Sequence, residues 1–277
     1  MTLTHGDIIH SGHNLQAAPV NSWRTYDEAD PIPGYFQFDW LSSRHPDLYD
    51  RFALSSVGLI EKLHTIFDLT GLEVLDIGAG TGRSALEVAK RAKEVFAVDF
   101  YASVAAFGKN QAERTHATNV RYVIGDRDHL PFPQNSVDAA ITSWAELNAQ
   151  EAYRVLRPDG YLIQLGSIPE ALCGELTSLL APDYPWVPQN VASPEVFIPG
   201  YPDIHSTTDS SIWQDIPVTG PVHLHQFTYL ADYQDYAEAA LMIGRLYGQK
   251  AKNYFLERKQ STYSWRLQIT MGQVSKK

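Results

Sequence analysis

The sequence is short of the features that build a disulfide scaffold, a nucleic-acid surface or a membrane span. It has one cysteine, Cys173, in 277 residues, which excludes an intramolecular disulfide framework. Lys and Arg number 22 against 32 Asp and Glu, a formal net charge of -10. Affinity for phosphate backbones or anionic lipid needs a positive patch, so no nucleic acid and no membrane is expected, and a small-molecule partner is. No apolar run reaches the about 18 residues that a spanning helix needs. The opening residues, MTLTHGDIIHSGHNLQ, lack the basic region and apolar core of a secretory signal, which predicts a cytoplasmic protein. Internal repeats and low-complexity tracts are also missing. What is present is 44% hydrophobic and 12% aromatic residues with only 19% charged, enough to bury a full core and too apolar for disorder.

Between Val74 and Gly166 short apolar runs alternate with amphipathic stretches, the pattern of βαβ units and a parallel sheet. The predicted strands are EVLDIG, EVFAVD, VRYVIG, DAAITS and YLIQLG. Between the first two, Ala85, Val88, Ala89 and Ala92 share a helical face, with Arg83, Glu87, Lys90 and Arg91 elsewhere. Upstream, Leu48, Phe52, Leu59, Leu63 and Phe67 predict a helix that stops at Gly71. Residues 1–45 form an aromatic segment with Trp23, Tyr26, Tyr35, Phe36, Phe38 and Trp40, interrupted by Pro31 and Pro33. PEALCGELTSLL reads as a helix. Residues 182–221 then hold eight of the 16 prolines, and a segment this long without periodicity reads as a functional loop. The remainder predicts strand, helix broken at Gly248, and strand.

The chemistry lies in VLDIGAGTGR, where Asp76 stands inside a strand just ahead of Gly78, Gly80 and Gly82. Glycines in a βα turn let backbone approach a ligand at the C-terminal edge of a parallel strand. The spacing is G-x-G-x-G, whereas the dinucleotide fingerprint is G-x-G-x-x-G and seats a pyrophosphate. Asp76 would repel a phosphate, and the loop lacks the Lys-Ser/Thr ending of a nucleoside-triphosphate loop. A buried carboxylate needs a cationic or donating partner, so the ligand carries a cation there. Asp99 ends the second strand 23 residues later, the place of the acid that grips ribose hydroxyls in a nucleoside-binding βαβ unit. Asp126 ends the third and can accept from a base's exocyclic amine, with the Arg127 backbone serving a ring nitrogen. An adenosine at one end, a cationic amino group at the other and no phosphate describe S-adenosyl-L-methionine.

These residues, with VFAVD, YVIGDRDHLPFPQNSVDAAITS and EAYRVLRPDGYL, resemble in order the motifs of class I S-adenosylmethionine-dependent methyltransferases. The similar branch is that of ubiquinone and menaquinone biosynthesis (methyltransferase type 11), over about residues 46–166. The resemblance implies an α/β, Rossmann-like, seven-stranded and mostly parallel sheet with helices on both faces and an antiparallel last strand, spanning 46–277. It implies that Asp76, Gly78, Gly80 and Gly82 hold the methionine end, with Thr142 and Ser143 nearby. Asp99 would bind ribose, Phe100 would lie against adenine, and Asp126 with Arg127 would read its edge. Three departures stand out. Tyr101 replaces a Ser common after the ribose acid, Pro158-Asp159-Gly160 replaces Pro-Gly-Gly, and only 16 residues separate Asp138 from Arg154. That connection often lines the acceptor pocket, so the acceptor site does not transfer.

The expected reaction is metal-independent methyl transfer to a small aromatic or apolar metabolite, at O, N or C. No catalytic residue is assigned. Glu146 and Tyr35 are candidate bases, needed only where the acceptor must lose a proton, and Glu146 equally suits a helix N-terminus. His223-x-His225, with His205 upstream, has no completing acid or Cys and reads as structural. Two other functions fit the same pocket: a non-catalytic cofactor-binding regulator, and an aminopropyl transferase using the decarboxylated cofactor, for which Asp76 would be superfluous. Residues 1–45 and 182–221 are the expected cover of the acceptor site. Removing residues 1–44 is therefore expected to weaken apparent acceptor affinity and leave cofactor binding intact. Calorimetric titration of the folded, truncated chain with S-adenosylhomocysteine checks this, and lost binding refutes the cap.

Overall fold

The computed structural model describes residues 42–43, 45–168, 174–180, 203–208 and 211–276. The aromatic segment before residue 42, including Tyr35, and most of the Pro-rich segment lie outside the described residues, so their expected covering role does too.

The chain folds as helices α1 (Pro46–Phe52) and α2 (Leu54–Ile66), then β1 (Glu73–Ile77), α3 (Arg83–Ala89), β2 (Glu94–Asp99), α4 (Ala102–Arg114) and β3 (Val120–Ile124). β4 (Val137–Ser143), α5 (Ala149–Val155) and β5 (Leu156–Ser167) follow. After a short turn come α6 (Thr177–Leu180), β6 (Ile204–Thr207), α7 (Ser211–Gln214), β7 (Val218–Asp232), α8 (Tyr236–Arg258) and β8 (Thr262–Val274). One sheet of eight strands runs in the order β3-β2-β1-β4-β5-β8-β7-β6. β3 to β5 are mutually parallel, and β8, β7 and β6 add antiparallel pairs.

All five expected parallel strands form; β1, β2, β4 and β5 bury apolar residues on both faces as a parallel sheet requires, and β3, at the sheet edge, is only partly buried. Val74, Val95, Ala139 and Ile163 join one cluster with Ala85 and Val88 of α3 and Leu59, Ile60 and Leu63 of α2. Leu75, Ile77, Val98, Ala140 and Leu162 join the other, with Ala152 and Val155 of α5. By strand alternation Asp76 shares a face with Val74 and points to the α2–α3 side. The order reverses between β1, which leads outward to β2 and β3, and β4, which leads the other way. Open α/β sheets bind ligands at such a reversal, outside the carboxyl ends of the strands.

Three expectations change. The single helix ahead of β1 is two, because the chain leaves helical geometry at Ala53 (φ -66°, ψ 3°). The second ends at Ile66, with extended Phe67 as its cap, before Gly71 is reached. Phe67 turns instead to pack on Tyr161, ring centres 4.6 Å apart. The sheet has eight strands rather than seven, because the described part of the Pro-rich segment is not loop. Ile204–Thr207 pairs with β7, and Trp213 is buried in the second cluster beside Ile216 and Val222. This part lies at the sheet edge farthest from β3.

The break at Gly248 is present: φ 86° and ψ -173° lie inside α8, a region open essentially to glycine alone. Gly248→Ala is expected to destabilise the fold by about 1–3 kcal/mol. The midpoint of urea unfolding measures it, and an unchanged midpoint refutes the kink.

Candidate active site

The carboxyl ends of β1, β2, β3 and β4 enclose a cavity of about 290 Å³. Its floor is the glycine turn. The backbone N–H groups of Gly78 and Ala79 both donate to the Val98 carbonyl at 2.9 Å, which ties the turn to β2. Gly78, Gly80 and Gly82 have φ of 71°, 56° and 81°, left-handed geometry that disfavours other residues. Each position also answers to a neighbour. A Cβ on Gly78 would come 2.4 Å from the Ala145 side chain, and one on Gly80 would touch Tyr49 at 3.4 Å. A Cβ on Gly82 would collide with the Tyr122 hydroxyl. Gly78 and Gly80 line the cavity, whereas Gly82 starts α3 behind it.

Asp99 accepts from the Gly80 N–H at 2.8 Å and the Tyr101 N–H at 2.9 Å. One carboxylate thus joins the glycine turn to the β2–α4 turn while lining the cavity. Phe100 lies beside it. Asp126 accepts from the Asp128 N–H at 2.9 Å and bridges to His129, which closes a tight turn after β3. Arg127 forms an ion pair with Glu146, so the candidate base is engaged by a guanidinium. Ser143 lines the far wall, its hydroxyl buried without a hydrogen-bond partner. Thr142 is buried, and its hydroxyl donates to the Ala145 carbonyl at 3.1 Å. Of the residues expected at the site, Gly78, Gly80, Asp99, Phe100, Asp126, Arg127 and Ser143 therefore share one cavity.

Asp76 sits beneath that floor. It is fully buried, and neither carboxylate oxygen has a hydrogen-bond partner. Burial, and then the charge of Asp99, push its pKa up from 3.8 to about 7. Burial first, and then the charge of Asp76, raises the Tyr122 phenol as well. An unpartnered buried carboxylate next to a glycine turn suits a donor-bearing cation such as an ammonium group.

Some walls of the cavity were not legible as such. Tyr49 stands over Gly80 because α1 is fastened to α3: Arg83 gives Nε and Nη2 to the two Asp50 carboxylate oxygens at 2.8 and 2.7 Å, and Nε also to the Asp50 carbonyl at 2.7 Å. Asp50 is only 5% exposed. Arg83, expected on the outer face of its helix, is thus half-buried in an ion pair. The two residues lie 33 apart in sequence, and no local pattern links them. Trp144, after β4, is another wall.

Elsewhere, β6 and β7 bring His205 opposite His225, ring centres 4.5 Å apart. Burial, then the charges of His205 and His223, lower the pKa of His225. Among the described residues no group of three or more His, Cys, Asp and Glu can hold a metal ion.

Residues 74–160 fit the family model described as a methyltransferase domain. A demethylmenaquinone methyltransferase of Beutenbergia cavernae is 34% identical over 145 residues, 49% of this chain and 58% of that protein. Phosphoethanolamine N-methyltransferase 1 of Caenorhabditis elegans is 40% identical over 72 residues, 26% of this chain and 15% of that protein. The chain thus spans 58% and 15% of these relatives' own length. Among solved structures, the [4+2]-cyclase SpnF superposes with a TM-score of 0.51 at 16% identity, over 88% of this chain and 99% of that one, a likeness of fold alone. The family match is thus to a methyltransferase domain over residues 74–160, less than a third of the chain.

The raised Asp76 pKa makes a pH prediction. An unfolded chain releases this proton near 3.8, whereas the native state keeps it to about 7. Between those values the native state binds more protons, so its stability falls as pH rises and levels off above about 7. Asp76→Asn is expected to remove that part of the fall. Urea unfolding at both ends of the window tests it, and a wild-type slope in the variant refutes the assignment.

Proposed function

We propose that this chain transfers a methyl group from S-adenosylmethionine to a small-molecule acceptor, in the cytoplasm. The observation that carries the reading is the pair of acids flanking the glycine turn: Asp99 on the cavity wall and Asp76 buried and unpartnered below it. The nearest cation in the following helix, Arg83, is committed to Asp50. A phosphate at this turn would meet the two acids, whereas a phosphate-free, cationic nucleoside is attracted by them.

On this reading the N–H-rich turn at Gly78 and Gly80, Asp76 and Ser143 hold the methionine end, with Gly82 setting the turn into α3. Asp99 accepts from the ribose hydroxyls, exchanging its bond to Gly80 or Tyr101 for them. Phe100 packs on the adenine, and Asp126 with the Arg127 backbone reads its edge. When bound, the cofactor supplies an electrophilic methyl on a positively charged sulfur, with a neutral thioether as leaving group. The protein's part is alignment and exclusion of water, and alignment alone can be worth about 7–11 kcal/mol. Tyr49 and Trp144 narrow the cavity from opposite sides for that purpose. Glu146 stays ion-paired with Arg127, so an acceptor that already carries a lone pair suits this site better than one needing deprotonation. The relatives' names give different acceptors, demethylmenaquinone and phosphoethanolamine, so kinship does not choose between them.

Asp99→Ala is expected to weaken S-adenosylhomocysteine binding by at least about tenfold, about 1.4 kcal/mol. Isothermal calorimetry measures this, and wild-type affinity in the variant refutes the ribose role. Incorporation of labelled methyl from the cofactor into a metabolite extract separates the enzyme from a cofactor-binding regulator.

A further inference from the structure

Asp76 shares its face of the sheet with a second polar group, the phenol of Tyr122, that the proposed chemistry leaves unused. Across β1, β2 and β3 the parallel register sets Asp76 opposite Ala97, and Ala97 opposite Tyr122. Residues in register on a parallel sheet send their side chains to the same face, so a carboxyl, a methyl and a phenol stand in one row. The small side chain of Ala97 lets the phenol lean across β2. Its hydroxyl reaches Gly82, where α3 begins after the glycine turn: a Cβ on Gly82 would collide with that hydroxyl, and a Cβ on Gly108 of α4 with the ring. Gly82, Ala97 and Gly108 thus clear a path for one phenol, and the path ends at the turn that follows Asp76. Among the described residues the buried hydroxyl has no hydrogen-bond partner, and neither do the Asp76 oxygens. Packing would be served by the ring alone. A buried hydroxyl left unpartnered costs about 1–3 kcal/mol, so its oxygen has an electrostatic rather than a packing role.

The phenol stays neutral, because burial first, and then the charges of Asp76 and Asp50, oppose its ionisation. A neutral hydroxyl rotates to suit its surroundings, and here it turns its hydrogen toward the neighbouring carboxylate. The charge that opposes ionisation of Asp76 is that of Asp99 on β2. Asp50 of α1 is bound by Arg83 of α3 and lies 3.4 Å from the Gln111 amide of α4, and β4 presents uncharged Ile141 beside Asp76. The Tyr122 hydroxyl thus favours a charged Asp76 where burial and Asp99 disfavour it. The two groups are not hydrogen-bonded to each other, so the effect is that of an oriented dipole acting through a low-dielectric interior. Resting on the methyltransferase reading above, we propose that Tyr122 is a positioning residue for the amino-acid end of the cofactor, its hydroxyl keeping the Asp76 carboxylate charged for the ammonium group.

The test compares the full wild-type chain with Tyr122→Phe, Asp76→Asn and the double variant, each titrated calorimetrically with S-adenosylhomocysteine. Tyr122→Phe keeps the ring and removes only the hydroxyl. Since the ligand's ammonium group favours a charged Asp76, wild-type affinity is expected to rise with pH and to level off above about 7. In Tyr122→Phe the levelling-off is expected at least about half a pH unit higher, which is about threefold weaker binding near pH 6 and parity near pH 8.5. In the Asp76→Asn background the same change should leave affinity alike at both pH values. A loss of equal size at both pH values, or one that persists without the Asp76 carboxyl, overturns the proposal and leaves Tyr122 a packing residue. Urea unfolding of the ligand-free chain is a readout that needs no cofactor. Native Tyr122→Phe holds the Asp76 proton to higher pH, so its stability should go on falling where that of the wild type has levelled off. Coincident levelling overturns the coupling. Failure of the wild type to bind S-adenosylhomocysteine, measured first, overturns the cofactor reading and with it the role proposed here, while the unfolding comparison decides separately whether the two groups are coupled.

Discussion

The site is organised around one carboxylate that has no partner. Asp76 lies in the middle strand of the parallel half of the sheet, in register with Ala97 of β2 on one side and Ile141 of β4 on the other. Its side chain is fully buried. An unpaired buried charge is disfavoured by several kcal/mol, and the protein answers by raising the pKa to about 7. Near neutrality the group is therefore close to its own titration point. On the proposed function, a cationic ligand arriving near it would stabilise the charged form. That explains why a strand otherwise made of Val74, Leu75 and Ile77 tolerates an acid at its centre.

The glycine turn cannot hold this arrangement alone. Asp99 fastens it from β2 through Gly80, and the Asp50–Arg83 pair brings α1 down over it from the other side. A buried ion pair contributes little net stability but resists rearrangement, because losing one partner strands the other. Here it fixes Tyr49 beside Gly80, where a Cβ would be in ordinary contact with the ring at 3.4 Å. The cavity is thus shaped by contacts between segments far apart in sequence, although its chemical groups sit close together at four strand ends.

This distinction accounts for what the sequence could and could not disclose. β1 to β5 were readable because each is a short apolar run between turn residues, and Asp76, Asp99 and Asp126 because each ends or interrupts such a run. The helix ahead of β1 was misread as one because Ala53 is a good helix former, and only the turn of α1 toward Arg83 explains the break there. β6 was unreadable for a different reason: IHST is four residues of mixed polarity just after Pro199 and Pro202, and it becomes a strand where β7 offers an edge. Trp144 was visible as an aromatic, but its role as a wall depends on φ 52° and on a stack contributed by α1 and β8. Long-range geometry of this kind leaves no periodic trace.

The stack also bears on why one fold can serve unlike reactions. SpnF, a cyclase by name, shares the architecture at a TM-score of 0.51, so the sheet and its reversal point do not select the chemistry. Selection must come from what faces the ligand beyond the strand ends. In this chain that surface is an exposed indole braced from α1 and β8, an acid held by an arginine, and three further carboxylates. The connection from β4 to α5 that carries the indole is short, and Asn148 caps α5 by accepting from the Gln150 and Glu151 N–H groups, so this wall has little length with which to wrap a ligand. A rigid wall discriminates by shape and charge, since it cannot refold around an ill-fitting molecule, and its preference is therefore set before the acceptor arrives.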